Sequence, residues 1–218
     1  MVDNNLLEYL SNFISEERNQ KFDRILKERT RHFTVAIEDV YQLHNTSAVI
    51  RSCDVFGIQE VNIIEERNTK KIDREIAMGA QKWVDINRFS SAKECITSMK
   101  NNGYRIVATS PHANDIELND FKIDEKACFF LGSERDGISE EVKEAADCFL
   151  RIPMFGFTES LNISVSAAII LQQAMSLLRS SEIEYVLSED EKSILKNRWI
   201  KRTLKSYDQI VSRYRPND

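Results

Sequence analysis

Glycine and proline are scarce in this chain of 218 residues, at six and three. That scarcity excludes a fibrous repeat or a low-complexity disordered chain, and a hydrophobic content of 42% leaves an ordinary globular core. No apolar run approaches the roughly 20 residues that cross a bilayer. The opening Met1-Val2-Asp3-Asn4-Asn5 has no basic region followed by an apolar stretch, so no signal peptide is expected and a cytoplasmic location is. Cys53, Cys95, Cys128 and Cys148 show no paired spacing, and His32, His44 and His112 are equally dispersed. Four buried, reduced thiols and no metal site are therefore expected. Neither G-x-G-x-x-G nor G-x-x-x-x-G-K-[ST] occurs, which argues against dinucleotide and nucleoside-triphosphate cradles.

Charge is uneven. The net value is −5, yet residues 192–218 carry eight Lys/Arg against two acids, while residues 1–32 carry six of each. The middle, 33–191, has a net charge of −11. Local positive surface, not total charge, governs attraction to phosphates. A basic tail helix of this kind is compatible both with simple solvation and with a polyanionic partner.

The length accommodates one sizeable α/β core with appended helices. Leu6, Leu7, Leu10, Phe13 and Ile14 recur at helical spacing. Ser15 reads as the cap of a second helix carrying Phe22, Ile25 and Leu26. Strands are expected at 33–37, 61–64, 104–108, 127–131 and 148–152, with a weaker one at 83–86. Helical stretches at 46–56, 91–102, 139–146 and 163–179 separate most of them. Strands that are almost continuously apolar and alternate with helices point to a parallel sheet covered on both faces. The tail opens on Ser188-Glu189-Asp190-Glu191, a capping box. The expected organisation is a domain at 33–180 with helical extensions at 1–32 and 181–218.

Three blocks stand out. The first is Asn45-Thr46-Ser47-Ala48-Val49-Ile50-Arg51, read locally as a helix start followed by a surface arginine within reach of Asp54. The second, Leu131-Gly132-Ser133-Glu134-Arg135-Asp136-Gly137, leaves a buried strand and precedes a helix capped by Ser139. Loops at the carboxyl ends of parallel strands are the usual ligand edge, and two glycines let backbone approach a ligand closely. The third joins Ile152-Pro153-Met154 to Ser160-Leu161-Asn162-Ile163-Ser164, where Asn162 and Ser164 suit the start of a long helix.

In this order and spacing the three blocks resemble the motifs of the SpoU family of RNA ribose 2′-O-methyltransferases, of the SPOUT class. Phe33-Thr34-Val35-Ala36-Ile37-Glu38-Asp39-Val40 and Gly79-Ala80-Gln81-Lys82-Trp83-Val84 are similar to the TrmH branch, which methylates guanosine 18 in the tRNA D-loop. The resemblance spans about residues 20 to 180. Gln42-Leu43 stands where the branch usually has Lys-Pro, and Ala77-Met78-Gly79-Ala80 is an unusual form of its small-residue loop. Both departures bear on RNA choice rather than on the reaction.

The resemblance implies a deep trefoil knot at the end of the sheet domain, with S-adenosylmethionine bent inside it. The donor would be held by Thr109, Gly132, Ile152, Met154, Ser160 and Leu161. Catalysis would fall to Arg51, Asn45, Glu134, Ser160 and Asn162, with Arg51 stabilising the developing alkoxide, since its guanidinium scarcely ever loses a proton. The family's partners are tRNA and a second copy of the chain, packed through the knot helices. Candidate RNA contacts are Arg18, Lys21, Arg24, Arg29, Arg31, Lys82, Arg198, Lys201 and Arg202. Ribosomal RNA, the tRNA wobble nucleotide and a knotted RNA-binding module without catalysis are the alternative readings.

Overall fold

The computed structural model describes residues 4–39, 43–66, 77–110, 116–133 and 136–214. These fall into two compact units, one of residues 31–185 and one that joins residues 1–30 to 186–218.

In the larger unit the strands are β1 (Phe33–Glu38), β2 (Glu60–Ile64), β3 (Asp85–Phe89), β4 (Arg105–Thr109), β5 (Ile116–Glu117), β6 (Ala127–Leu131) and β7 (Cys148–Arg151), with β1 and β6 buried along their whole length and β3 and β5 more polar at the edges. They pair in the order β3-β2-β1-β6-β4-β7-β5, and every pairing is parallel. Alternation along each strand splits the core in two. Phe33, Val35, Ile37, Phe129 and Leu131 face one side, against Val49, Ile50 and Cys53 of α3 (Leu43–Phe56) and Ile163, Ala167, Ile170 and Leu171 of α6 (Ile163–Arg179). Ala36, Ile106, Ala108, Cys128 and Phe130 face the other, against Cys95, Ile96 and Met99 of α4 (Ala92–Asn101) and Val142 of α5 (Glu140–Ala145). Burying both faces is what the nearly unbroken apolar strands require.

At the amino ends of the strands, Arg31 bridges Glu60 at 2.6 Å and Asp85 at 2.5 Å, tying the starts of β1, β2 and β3 together. Deeper in, the buried Asn62 donates to the Thr34 hydroxyl and accepts from Asn87, both at 3.0 Å. This ladder satisfies amides that would be costly if left unpaired.

Two expectations need correction. The weak strand expected at 83–86 runs instead over Asp85–Phe89, because Ala80–Lys82 forms a 3₁₀ turn that ends at Trp83. The two-residue β5 has no counterpart among the expected strands, being too short to show a period.

The smaller unit contains α1 (Asn4–Ser11), α2 (Glu16–Leu26), α7 (Glu189–Thr203) and α8 (Tyr207–Arg213). Ser15 caps α2, and Ser188 with Glu191 forms the capping box of α7. Trp199 is 1% exposed and packs edge-on against Phe22 with ring centroids 5.5 Å apart. Lys196 meets Asp23 at 2.6 Å, and Thr30 forms an antiparallel bridge with Val186. Helices α1 and α2 thus pack against α7, and Leu10, Leu26, Leu195 and Ile200 of these helices are also buried.

Candidate active site

At the carboxyl edge of the sheet, β4, β6 and β7 end side by side, and their loops enclose a cavity of about 540 Å³. That volume lies within the range of small-molecule sites. Thr109 at the end of β4, Gly132 after β6, and Ile152, Met154, Ser160 and Leu161 after β7 all line it. The six residues expected at the donor pocket, scattered over more than fifty positions of sequence, therefore border one space. Leu131, Leu150 and Ile170 add apolar wall, and Ser110, Ser133, Asp136 and Lys143 add polar groups. Leu131, Ser133 and Asp136 belong to the second sequence block without being among the expected donor contacts, and Leu150, Ile170, Ser110 and Lys143 lie outside the three blocks. Asp136 sits inside the second block and Ser110 directly follows Thr109, so adjacency was the available signal.

The loop after β6 is built to a tight tolerance. Ser133 and Gly137 exchange backbone hydrogen bonds at 3.0 Å in both directions, and the Ser133 hydroxyl accepts from the amide of Asp136. Gly137 takes φ +71°, a left-handed conformation that favours glycine. A Cβ on Gly132 would lie 2.1 Å from the Gly137 carbonyl carbon, so no side chain fits there. The loop is held from below by Glu38 at the end of β1. Its carboxylate accepts from the Ser139 amide at 2.9 Å, while the Ser139 hydroxyl caps α5 by accepting from Val142. Burial pushes the Glu38 carboxyl above its ordinary range, opposed by these bonds to Ser139. Thr109 donates to the Phe130 carbonyl at 2.8 Å, fixing the rim between β4 and β6.

The third block supplies the start of α6. Asn162 is its cap, and its side-chain oxygen accepts from the Ser164 amide at 2.9 Å and the Ser164 hydroxyl at 2.7 Å. Ser164 thus lies inside the helix rather than capping it. Asn45 also differs from expectation: α3 already begins at Leu43, so Asn45 sits in its first turn, 1% exposed. Its side-chain oxygen accepts from the Asn162 amide group at 3.2 Å.

Arg51 lies on the exposed side of α3 and is not among the residues lining the cavity. Glu134 lies outside the described residues. Arg18, Lys21, Arg24, Lys82, Lys201 and Arg202 are exposed and Arg198 is half-buried. Arg29 is 1% exposed with its guanidinium 5.6 Å from the Trp199 ring centroid, and Arg31 is engaged by Glu60 and Asp85. A contact with phosphate does not fit the burial of Arg29. All four cysteines are buried, and burial pushes the Cys95 thiol up to about 12 and Cys128 upward as well, so neither offers a thiolate. Among the described residues, no three His, Cys, Asp or Glu side chains gather as a metal site would require.

Residues 32–172 match the SpoU rRNA Methylase family. The chain belongs to that family. Among its relatives is the tRNA (guanosine(18)-2′-O)-methyltransferase of Borreliella burgdorferi, 38% identical over 201 residues, which cover 92% of each chain. The crystal structure of the Aquifex aeolicus TrmH/SpoU tRNA modifying enzyme superposes with a TM-score of 0.79 at 29% identity, covering 87% of this chain and 98% of that one. The SpoU methyltransferase AviRb from Streptomyces viridochromogenes, solved in complex with the cofactor AdoMet, shares the fold with a TM-score of 0.62 at 22% identity. That likeness covers 71% of this chain and 60% of that one. The SpoU assignment agrees with the three sequence blocks, and with a cavity bordered by two of them.

Proposed function

We propose that this SpoU-family chain is an S-adenosylmethionine-dependent tRNA methyltransferase that acts on the ribose 2′-hydroxyl of guanosine 18. One observation carries the reading: loops from the second and third blocks border one cavity, and the first block is tied to its rim through Asn45 and Asn162. The activity named for the Borreliella burgdorferi relative supports the same substrate. The cavity fits the donor. Leu131, Leu150, Ile152 and Ile170 offer an apolar wall to an adenine ring, and Thr109, Ser110, Ser133 and Ser160 offer hydroxyls to its polar parts. Gly132 keeps the loop closed against itself, where any side chain would clash.

The bound donor supplies an electrophilic methyl group on a positively charged sulfur. The chain's own work is alignment and charge stabilisation. Holding the reactants in line is worth roughly 7–11 kcal/mol in the best intramolecular models. Arg51 presents a fixed fork of donors to the developing alkoxide. Ser160 and Asn162 orient the ribose, with Asn45 fixing Asn162 and Glu134 acting beside them.

Arg51 is outside the cavity lining of its own chain, which supports a site completed by a second copy. Val165 and Ile169, four residues apart on α6 and 45% and 37% exposed, form the apolar stripe through which a homodimer would pack. A trefoil knot is part of this reading: β7 is inserted between β4 and β5, which precede it in the chain and are joined to each other only by residues 110–115. Residues 1–32 and 181–218 flank the methyltransferase domain at 33–180 in sequence and contribute RNA contacts, with Arg18, Lys21, Arg24, Lys201 and Arg202 as exposed cations. Among the described residues no helix is long and apolar enough to cross a membrane, and a cytoplasmic tRNA enzyme accords with that.

Incubation with radiolabelled S-adenosylmethionine and an unmodified tRNA transcript tests the proposal. Label should appear at position 18 as a 2′-O-methyl group, and a transcript with 2′-deoxyguanosine there should take none. Label retained by the deoxy transcript would refute it.

A further inference from the structure

The loop from Met154 to Leu161 carries two phenylalanines that the fold leaves bare. Phe155 is 98% exposed and Phe157 is 108% exposed, the two most exposed large hydrophobics among the described residues. A single exposed apolar side chain is ordinary on a protein surface, but two bare aromatic rings two residues apart on the rim of a cavity fit an interaction site. Gly156 between them has no steric neighbour: a Cβ built there would meet only the Thr158 amide, at 4.0 Å. Nothing in the described chain packs around this turn closely enough to fix the rings from within.

Their place in the sequence of the site is informative. Met154, immediately before them, and Ser160, Leu161 and Asn162, shortly after, all line the cavity. The rings therefore hang from the cavity's rim, on the segment proposed to hold donor and ribose. A ribose inside a folded RNA reaches an enclosed cavity only when its nucleotide leaves the stack, and the exposed base then lacks a stacking partner. Phenyl rings have no hydrogen-bonding groups, so what they offer a nucleotide is a π-face, which suits any base.

We infer that Phe155 and Phe157 form a stacking platform for the nucleobases of the target nucleotide and its neighbour in tRNA. The inference rests on the methyltransferase reading and adds the contact by which substrate is presented. A second copy of the chain is the rival occupant. The apolar surface suited to it is the continuous helical stripe of Val165 and Ile169, whereas the rings sit on an irregular loop beside a polar rim of Ser160 and Asn162. The helix gives a partner subunit a rigid face; the loop gives a nucleotide adjustable rings.

The test uses the full chain with Phe155→Ala, Phe157→Ala, the double alanine variant, and both positions changed to Leu or to Trp. Affinity for an unmodified tRNA transcript, affinity for S-adenosylhomocysteine and molar mass in solution are measured for each. The expected result is a loss of tRNA affinity on the order of tenfold per ring for Ala. Leu should lose nearly as much, because it keeps bulk without a π-face, and Trp should restore binding. S-adenosylhomocysteine affinity and molar mass should not move. A double alanine variant that binds tRNA as the wild type does would overturn the platform, even if guanosine 18 is still methylated. A fall in molar mass with Ala that Leu prevents would also overturn it, assigning the rings to a subunit contact. Ring-dependent tRNA binding without any methylation would instead keep the platform and sink the proposed reaction.

Discussion

Asn162 donates from its side-chain nitrogen to the side-chain oxygen of Asn45 at 3.2 Å, across 117 residues of sequence. The other end of Asn162 caps α6, so one amide joins the first turn of α3 to the first turn of α6 at the rim of the cavity. Removing it costs a cap, typically about 1 kcal/mol, and a hydrogen bond of about 0.5–1.5 kcal/mol net. Asn162→Ala should therefore lower thermal stability and methyl transfer together. Asn45→Ala should spare the cap and cost less. A double-mutant cycle on denaturant unfolding should return a coupling of about 0.5–1.5 kcal/mol. Additive losses would mean that the contact links nothing.

Arg51 is expected to separate chemistry from binding. It is exposed and outside the cavity lining, so Arg51→Ala should leave both the melting temperature and S-adenosylhomocysteine affinity nearly unchanged. Methyl transfer should fall by roughly 10²-fold or more, the usual consequence of losing a preorganised donor at a developing oxyanion. Near-normal turnover would remove Arg51 from the mechanism.

The parts of the fold that were legible in the sequence are those with a local period. The helix at 163–179 and the strand at 127–131 coincide with α6 and β6, because each is an unbroken apolar pattern with a polar or glycine boundary. Asn45 read as a helix start because asparagine is a good cap, but its burial under Asn162 is a tertiary fact that spacing does not carry. The same holds for Arg29. Its charge pointed to solvent and phosphate, whereas its long stem and planar head pack over Trp199, from the far end of the chain. The six cavity residues came together only through the motif resemblance; in the chain, three strands, a 3₁₀ turn and a helix lie between Thr109 and Met154.

Donor binding should proceed in the presence of a chelator. The cavity offers hydroxyls, backbone and apolar wall, and calorimetry with S-adenosylhomocysteine and EDTA should give the same affinity as without EDTA. A titration restored only by added metal would overturn the assignment of the cavity to the donor.

The stability of the fold should decline on mild acidification through His32. His32 is 8% exposed, its Nε2 lies 2.7 Å from the Ile123 carbonyl, and burial lowers its pKa below the ordinary 6.5. Nearby Lys126 and Arg105 act in the same direction, against the bond to Ile123. The unfolded chain therefore takes up a proton near pH 6.5 while the folded one does not. Stability from this site is fully present above that pH and falls as pH drops towards the folded pKa, at no more than about 1.4 kcal/mol per pH unit. His32→Gln, which keeps a donor for Ile123, should flatten the fall in unfolding free energy between pH 7 and 5. An unchanged slope would show that His32 does not titrate differently in the two states.

The basic tail has two faces, and substitutions can separate them. Trp199, Leu195 and Ile200 are buried with Phe22 and Leu26, so cutting the chain after Glu191 would strip the shared core as well as the charge. Trp199→Ala alone should destabilise the helical unit by about 3–5 kcal/mol. Lys201 and Arg202 lie on the exposed side of the same helix. Changing both to Ala should leave the melt intact while weakening tRNA binding. Each phosphate that is no longer neutralised should lower the slope of log affinity against log salt by roughly 0.7 on a single strand and 0.9 on a duplex. For the double variant the slope should therefore shrink by roughly 1.4 to 1.8 if both side chains meet phosphate. Filter binding across a salt series measures this directly. A slope that does not change would assign the exposed face of α7 to solvation, and would leave the RNA contacts of this unit to Arg18, Lys21 and Arg24 on α2.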